Sequence, residues 1–254
     1  MDSVTLFRLQ KPKTWRFLPL YEKIQYYKDQ LNEEYVPYVD KIEAKRIVKE
    51  VLGDMIHVAP LVRILESPDD VSVDDICGNH LLKASHGCGW NIDLAEAEAG
   101  LTVESIRKSL HAWNKPYHAQ YEPHYSWVPP RFFIEEKVCD KVHGRTAKAI
   151  TYCIRCIHGK PFVVGVRDGD AQNNYDCNWN PVKPLEIEGL EKPAALGAML
   201  HVAEVLSKPF EFVRIDLYLG EGDAIYFSEF TFTPSAGFMF YPLKYEKEFG
   251  KLWT

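Results

Sequence analysis

No apolar run in the 254 residues approaches the ~20 needed to cross a bilayer. The opening MDSVTLFRLQKPKTW lacks the apolar core of an export signal, so the expectation is a cytoplasmic protein without a membrane span. Positive charge is in deficit. The net charge of −6 at pH 7 argues against general binding to a nucleic-acid backbone. It leaves a nucleotide site open, because that needs only a few local cations and a metal. Cysteine is sparse. Without an export signal, Cys77, Cys88, Cys139, Cys153, Cys156 and Cys177 read as reduced thiols. Cys153 and Cys156 form a CxxC with no second CxxC or HxxxH to complete a zinc site. If they lie on a strand, they point to opposite faces. His57, His80, His111, His118, His124, His143, His158 and His201 are scattered without metal-ligand spacing. Neither GxxxxGK(S/T) nor GxGxxG occurs, and there is no internal repeat or low-complexity tract.

What is present reads as a soluble globular chain. The 46% hydrophobic and 26% charged fractions suit one large domain or two small lobes. PLYEKIQYYKDQL has a helical pattern. In DKIEAKRIVKEVLG, residues 40 to 53, Ala44, Ile47, Val48, Val51 and Leu52 share a helical face and Gly53 suits its end. Lys41, Lys45 and Lys49 form a basic stripe on that helix, which by itself reads as a solvated face. A short strand is expected near Val58 to Leu65. HLLKASHGCGWN reads as strand then glycine loop, and TVESIRKSLHAWN as a helix capped by Thr102. KPYHAQYEPHYSWVPP is an irregular aromatic loop, and RFFIEEKV is a strand. Strands also suit 147 to 157 and 160 to 167. A polar connection through Asn173 and Asn174 then leads to a helix over 193 to 207, with Pro193 in its first turn.

Three stretches are candidates for chemistry. In LLKASHGCGWN, Lys83 ends an apolar strand, and Gly87 and Gly89 allow the backbone to approach phosphate oxygens. His86, inside this loop, either touches a phosphate or substrate or makes a loop-stabilising hydrogen bond. In RFFIEEKV, the adjacent Glu135 and Glu136 either reach solvent or meet a ligand's ribose. The hairpin VRIDLYLGEGDAIYFSEFTF, residues 213 to 232, carries a carboxylate in each strand. Alternation puts Arg214, Asp216 and Tyr218 on one face of the first strand. It puts Glu229 and Thr231 with Ile225 and Phe227 on one face of the second. Asp216 and Glu229 therefore either pair with basic side chains or hold a cation. Mg2+ takes one or two carboxylates, with phosphates and waters completing the shell.

The order of basic helix, lysine and glycine loop, paired acids and Arg/Asp…Glu hairpin resembles the ATP-grasp superfamily. More narrowly, the chain resembles the TupA-like ATP-grasp proteins of teichuronopeptide biosynthesis. The likeness rests on KPKTWRFLPLYEKIQYYK, VDKIEAKRIVKEVLG, LLKASHGCG, PRFFIEEKV, FVRIDLY and YFSEFTFTPSAGF, in that order. The resemblance implies an α+β ATP-grasp fold whose two lobes, 41 to 136 and 137 to 254, hold the nucleotide between them. A short helical segment, 1 to 40, precedes them. It implies ATP and Mg2+ as cofactors and a small-molecule or glycan acceptor as partner. Lys45 and Lys83 would touch phosphates, under a loop closing over Ser85 to Asn91. Glu135, Glu136, Lys137 and Val138 would form the adenine hinge. Asp216 and Glu229 would hold the metal, with Thr231 where many ATP-grasp enzymes have asparagine. Arg214 would steady the transferred phosphoryl group, and PSAGF would face the acceptor. The family usually has Asp-Tyr-Lys where this chain has Thr151-Tyr152-Cys153, so Lys148 or Arg155 would have to substitute for the lost lysine. The implied activity is an ATP-dependent carboxylate–amine ligase. A sugar kinase, a glycosyltransferase and a degenerate nucleotide-binding module are the alternatives.

Overall fold

Asp40 shows how local sequence starts an element here. Its carboxylate accepts from the Ile42 and Glu43 N–H groups at 2.9 and 3.4 Å and so caps the basic helix. That helix then buries Ala44, Val48 and Leu52 and ends at Gly53, whose φ is +54°. The computed structural model describes residues 9–76, 78–95, 100–117, 122–145 and 149–254. Cys77, His118, Tyr121 and Lys148 lie outside the described residues. The helices are α1 (Leu20–Lys28), α2 (Val36–Val39), α3 (Lys41–Leu52), α4 (Val103–Trp113), α5 (Leu196–Ser207) and α6 (Leu243–Leu252). Thr102 caps α4 by accepting from Ser105 N–H at 3.1 Å, as expected. α5 begins three residues later than its sequence pattern implied. Pro193 sits in a preceding turn, its carbonyl accepting from Leu196 N–H at 3.1 Å.

The strands are β1 (His57–Val58), β2 (Leu61–Leu65), β3 (His80–Ala84), β4 (Asn91–Asp93), β5 (Phe132–Glu136), β6 (Thr151–Ile157), β7 (Lys160–Asp168), β8 (Ala171–Tyr175), β9 (Phe212–Leu219) and β10 (Ile225–Thr231). They form a six-stranded sheet, β1-β10-β9-β6-β7-β8, and a four-stranded sheet, β2-β5-β3-β4. The single strand expected near Val58 to Leu65 is two strands, one in each sheet. Pro60 separates them, and its carbonyl accepts from Glu136 N–H at 2.9 Å. The expected connection at Asn173 and Asn174 is instead β8. Asn173 is fully buried, and its amide bonds the Ile187 carbonyl at 2.8 Å and the Glu186 N–H at 2.7 Å. Its hydrogen-bonding capacity is spent inside the protein, so its polarity misled.

One apolar face of the larger sheet packs on α5, burying Val213, Ile215, Leu217, Ile154, Val164 and Val166. The smaller sheet packs on α4 around Leu82, Ile106, Leu110 and Ile134. The N-terminal segment docks on the C-terminal helix. Buried Lys23 donates to the Gly250 and Trp253 carbonyls at 2.7 and 2.5 Å. Buried Glu246 accepts from the Tyr21, Phe240 and Tyr241 N–H groups at 2.9 to 3.0 Å. A Cβ at Gly250 would lie 2.4 Å from the Leu18 carbonyl, so this close approach needs glycine. From α1, Gln25 donates to the Gly237 carbonyl at 2.9 Å and Lys28 to the Ala236 carbonyl at 3.3 Å. These contacts hold a turn in which Ser235 and Ala236 sit at φ +56° and +52°.

Candidate active site

The larger sheet turns its second face toward a cleft, and strand register sorts that face into three rows. Tyr218, Thr151, Arg167 and Gln172 are cross-strand partners in the first. Glu229, Asp216, Cys153, Gly165 and Asn174 make the second. Thr231, Arg214 and Arg155 lie in the third. Strict alternation would have put Glu229 on the apolar face with Ile225 and Phe227. A β-bulge between Phe227 and Glu229 corrects that expectation: Phe227 pairs with Leu217 on the core face and Glu229 with Asp216 on the cleft face. The extra residue of the bulge changes which side the strand presents. Cys153 falls in the middle row, while Cys156 is on the opposite face, its Sγ 3.8 Å from the Ala203 carbonyl of α5. The two thiols therefore cannot share a zinc ion. Burial pushes the Cys153 thiol up to about 12.

Asp216, 1% exposed, lies behind Arg214, which donates to it from Nε and NH2 at 2.6 Å each. Arg214 also lies 3.8 Å from Glu229. Lys41 lies 4.0 Å from the other Glu229 oxygen. Neither approach to Glu229 is a hydrogen bond, so this carboxylate keeps its lone pairs open toward the cleft.

The opposite wall comes from the smaller sheet and α3. Glu135, 2% exposed, binds Lys83 at 2.6 Å and also Lys45. Burial raises the Glu135 carboxyl, but Lys83 and Lys45 together outweigh it and hold it below the usual carboxylate range. Burial lowers Lys83, and Glu135 more than reverses this. At Lys45 burial prevails over Glu135, helped by repulsion from Lys83, and the pKa falls. Glu135 therefore holds two lysines at the cleft wall. The neighbouring Glu136 and Lys137 N–H groups are already engaged, by the Pro60 carbonyl at 2.9 Å and the Asn79 carbonyl at 2.6 Å. Lys137 also pairs with Asp93 at 2.6 Å. Glu136, Lys137 and Val138 are not among the residues lining the cleft.

The glycine loop forms the roof. Gly87, Cys88, Gly89, Trp90 and Asn91 line the cleft, and Lys41 donates to the Gly87 carbonyl at 2.5 Å. A Cβ at Gly87 would stand 2.6 Å from the Trp90 ring, so the loop needs glycine there. His86 does not face the cleft. It is fully buried, one ring nitrogen 3.0 Å from the Trp113 carbonyl and the other accepting from Arg131 N–H at 3.3 Å. Both ring nitrogens are thus engaged inside the protein, in contacts that hold the loop against α4 and the Arg131 backbone. Burial lowers its pKa, which keeps the ring neutral.

Together these walls enclose a cleft of about 640 Å³, lined by Lys41, Lys45, Lys83, Arg155, Arg167 and Arg214 against Glu122, Asp170 and Glu229. A chain that is acidic overall thus concentrates cations at one concave site, which favours an anionic ligand. Sequence reading had singled out Lys45, Lys83, Gly87, Gly89, Arg214, Glu229 and Thr231, all of which line the cleft. Lys41 was legible only as part of a stripe, of which Lys49 instead caps the helix end through the Gly53 carbonyl at 2.8 Å. Glu122 was missed because it sits in an aperiodic loop. It accepts from Thr233 Oγ1 at 2.6 Å, and burial raises its pKa. Of the aromatic loop, Tyr125 lines the cleft and Trp127 packs on the main core, while Trp113 at the end of α4 stacks on Trp90 at 5.7 Å.

Among the described residues no group of three His, Cys, Asp or Glu side chains converges as a ready-made metal cage. Mg2+ does not require one when phosphates supply ligands. Glu229 is open to the cleft, and beside it Thr231 Oγ1 is buried without a hydrogen-bond partner. These donors fit Mg2+, whereas Asp216 does not line the cleft and has both carboxylate oxygens held by Arg214.

His124 in the loop behind the cleft is 1% exposed, and burial takes its pKa down to about 4 from 6.5. A neutral buried imidazole stabilises the fold fully above pH 6.5, and that contribution fades as pH falls toward 4, because the unfolded chain takes up the proton first. About 3 kcal/mol is therefore lost across this window. His124→Gln flattens it in denaturation curves measured at stepped pH. A parent chain equally stable at pH 7 and pH 4.5 contradicts the assignment.

The cleft between two sheets, walled by α3 and roofed by a glycine loop, belongs to a chain of ATP-grasp fold, as comparison with a family model and solved structures shows. D-alanine–D-alanine ligase from Bacillus anthracis complexed with ATP matches at a TM-score of 0.51 and 15% identity, over 86% of this chain and 64% of that one. The ADP complex of N5-carboxyaminoimidazole ribonucleotide synthetase matches at 0.49 and 13% identity, over 83% and 50%. Macrocyclase MdnC from Microcystis aeruginosa, bound with a precursor peptide, matches at 0.46 and 10% identity, over 91% and 67%. The chain spans about half to two thirds of the length of the solved structures it matches, from 48% to 67%. The chain belongs to the TupA-like ATP-grasp family, whose model matches residues 22–254. No curated protein sequence matches it. Among the described residues no helix is long and apolar enough to cross a membrane.

Proposed function

We propose that this protein is an ATP- and Mg2+-dependent ligase that joins a carboxylate to an amine through an acyl-phosphate. The carboxylate would be carried on a sugar or glycan of cell-surface polysaccharide. The observation that carries this reading is the arrangement of charge across the cleft. Lys45 and Lys83 stand on one wall, and Arg214 stands beside the open Glu229 carboxylate on the other. The lysines and the Gly87–Gly89 backbone hold the triphosphate; Glu229 and Thr231 would hold Mg2+, which would supply charge neutralisation at the phosphoryl oxygens. A substrate carboxylate oxygen attacks the γ-phosphorus and ADP leaves. The amine nitrogen then attacks the acyl carbon, and inorganic phosphate leaves with the bonding pair. Arg214 stabilises the phosphoryl group in transfer. Glu122, whose pKa burial raises, accepts the proton shed by the amine.

Thermal shift with separate ligands tests this. Mg2+ with ATP is expected to raise Tm saturably, by the amount mass action sets, and ATP without Mg2+ to raise it less. A response to sugar nucleotides with none to ATP would instead mark a glycosyltransferase. A phosphorylated sugar as product, with no amide and no free phosphate, would mark a kinase.

A further inference from the structure

We propose that Arg155 is an anion subsite that holds the acceptor's carboxylate beside Arg214, where the phosphoryl group arrives. This rests on the ligase reading for which part of the cleft the nucleotide takes. Arg155 is 3% exposed, lines the cleft, and has a buried NH1 with no hydrogen-bond partner. Asn174 Nδ2 and Thr231 Oγ1 are buried without partners on the same face of the sheet. A Cβ at Gly165 would lie 3.3 Å from Arg155 NH1, 3.3 Å from Asn174 Oδ1 and 2.7 Å from Gln172 Nε2. The strand thus carries no side chain where these polar groups converge. The guanidinium lies over the rings of Phe240 and Tyr241, at 5.1 and 5.2 Å, which fixes its plane. A buried guanidinium without a counter-ion destabilises the empty protein, and an arriving anion removes that penalty.

Register says which ligand supplies the anion. The Lys141 N–H, five residues past the strand that holds Glu135, donates to the Leu219 carbonyl at 2.9 Å, so the Glu135 side of the cleft lies nearer the Tyr218 end of β9. Arg155 pairs with Arg214, four residues further along β9, about 13 Å away at ~3.3 Å per residue. Phe240 is its neighbour there, and the strained turn at Ser235 and Ala236 lines the same cleft. The triphosphate already has Lys41, Lys45 and Lys83, so Arg155 is left for the acceptor. It lies on the cleft face two residues beyond Cys153.

The test titrates the full chain, saturated with Mg2+ and a non-hydrolysable ATP analogue, with D-glucuronate, D-glucose or inorganic phosphate, and reads Tm. Glucuronate is expected to raise Tm saturably and glucose to leave it unchanged. Arg155→Met is expected to shift the glucuronate midpoint at least about tenfold while the nucleotide midpoint stays within about twofold. The ligand-free Tm of that variant should be no lower than the parent's, since an unpaired charge has gone. A nucleotide midpoint weakened about tenfold by Arg155→Met would assign the arginine to the triphosphate and overturn the proposal. So would a phosphate response stronger than the glucuronate response, or no glucuronate response in the parent chain. Should the nucleotide not bind at all, the ligase reading fails. The glucuronate titration of the ligand-free protein, with and without Arg155→Met, then decides the subsite alone. If Arg155→Met does not fold, Arg155→Lys keeps the charge and loses the planar fork. It is expected to move the glucuronate midpoint about tenfold, and an unchanged midpoint counts against the proposal.

Discussion

Glu135→Gln lowers the free energy of unfolding by about 3–5 kcal/mol, because it leaves Lys45 and Lys83 facing each other without their shared counter-charge. The two lysine side chains are 13% and 16% exposed, so solvent does little to screen them. The pH dependence has a definite sign. The folded Glu135 carboxyl sits below its ordinary value of 4.5, so its stabilisation is complete above that value and disappears as pH falls through the depressed one. Glutamine removes this acid limb from the stability curve. A phosphate-bearing ligand restores part of what the substitution removes, because it supplies anions to the same lysines. Mg2+ with ATP should therefore raise the Tm of Glu135→Gln by more degrees than it raises the parent's. Equal shifts would mean that the lysines do not meet the phosphates. A loss of stability under about 1 kcal/mol would mean that the pair is solvated, not buried.

How much of this was legible depends on whether the signal was local. The cap at Asp40, the helix face of Ala44, Val48 and Leu52, and the β9 alternation around Asp216 rest on neighbours within a few residues, and the pattern shows them. The side on which Glu229 stands does not. It depends on a bulge at Ser228 that alternation cannot anticipate, because the extra residue leaves no mark in hydrophobic periodicity. The role of Glu135 was hidden for a related reason. Two acids at the end of a strand look alike in sequence, and only the arrival of Lys45 from α3 and Lys83 from β3 separates Glu135 from the half-buried Glu136. Lys41 and Lys49 share a stripe with Lys45 but go to different ends of the same helix, one to the glycine loop and one to a carbonyl cap. β8 was invisible because Asn173 and Asn174 carry strand geometry without strand composition.

Asp216→Asn and Glu229→Gln separate structural charge from ligand-binding charge within one hairpin. Asp216 accepts two charge-assisted hydrogen bonds of 2.6 Å from Arg214, and the carboxylate is buried while the guanidinium side chain is 12% exposed. Asparagine leaves the guanidinium uncompensated, which is expected to cost about 3–5 kcal/mol of stability. Glu229 is 27% exposed and lies 3.8 and 4.0 Å from its cations, so glutamine there should change stability by less than about 1 kcal/mol. The ligand response reverses the order of importance. If Glu229 is the carboxylate that meets the metal, its loss should weaken Mg2+-dependent ATP binding by more than the about 10–100-fold typical of an outer-shell partner. Metal-free ATP binding should change little. Titrating Mg2+ against the ATP-induced Tm shift of each variant measures both effects at once. A Glu229→Gln protein that keeps the parent's Mg2+ dependence would remove the metal from this hairpin. Asp216 and Glu229 would then be counter-ions to Arg214 and nothing more, and the cleft would bind its anions through lysine and arginine alone.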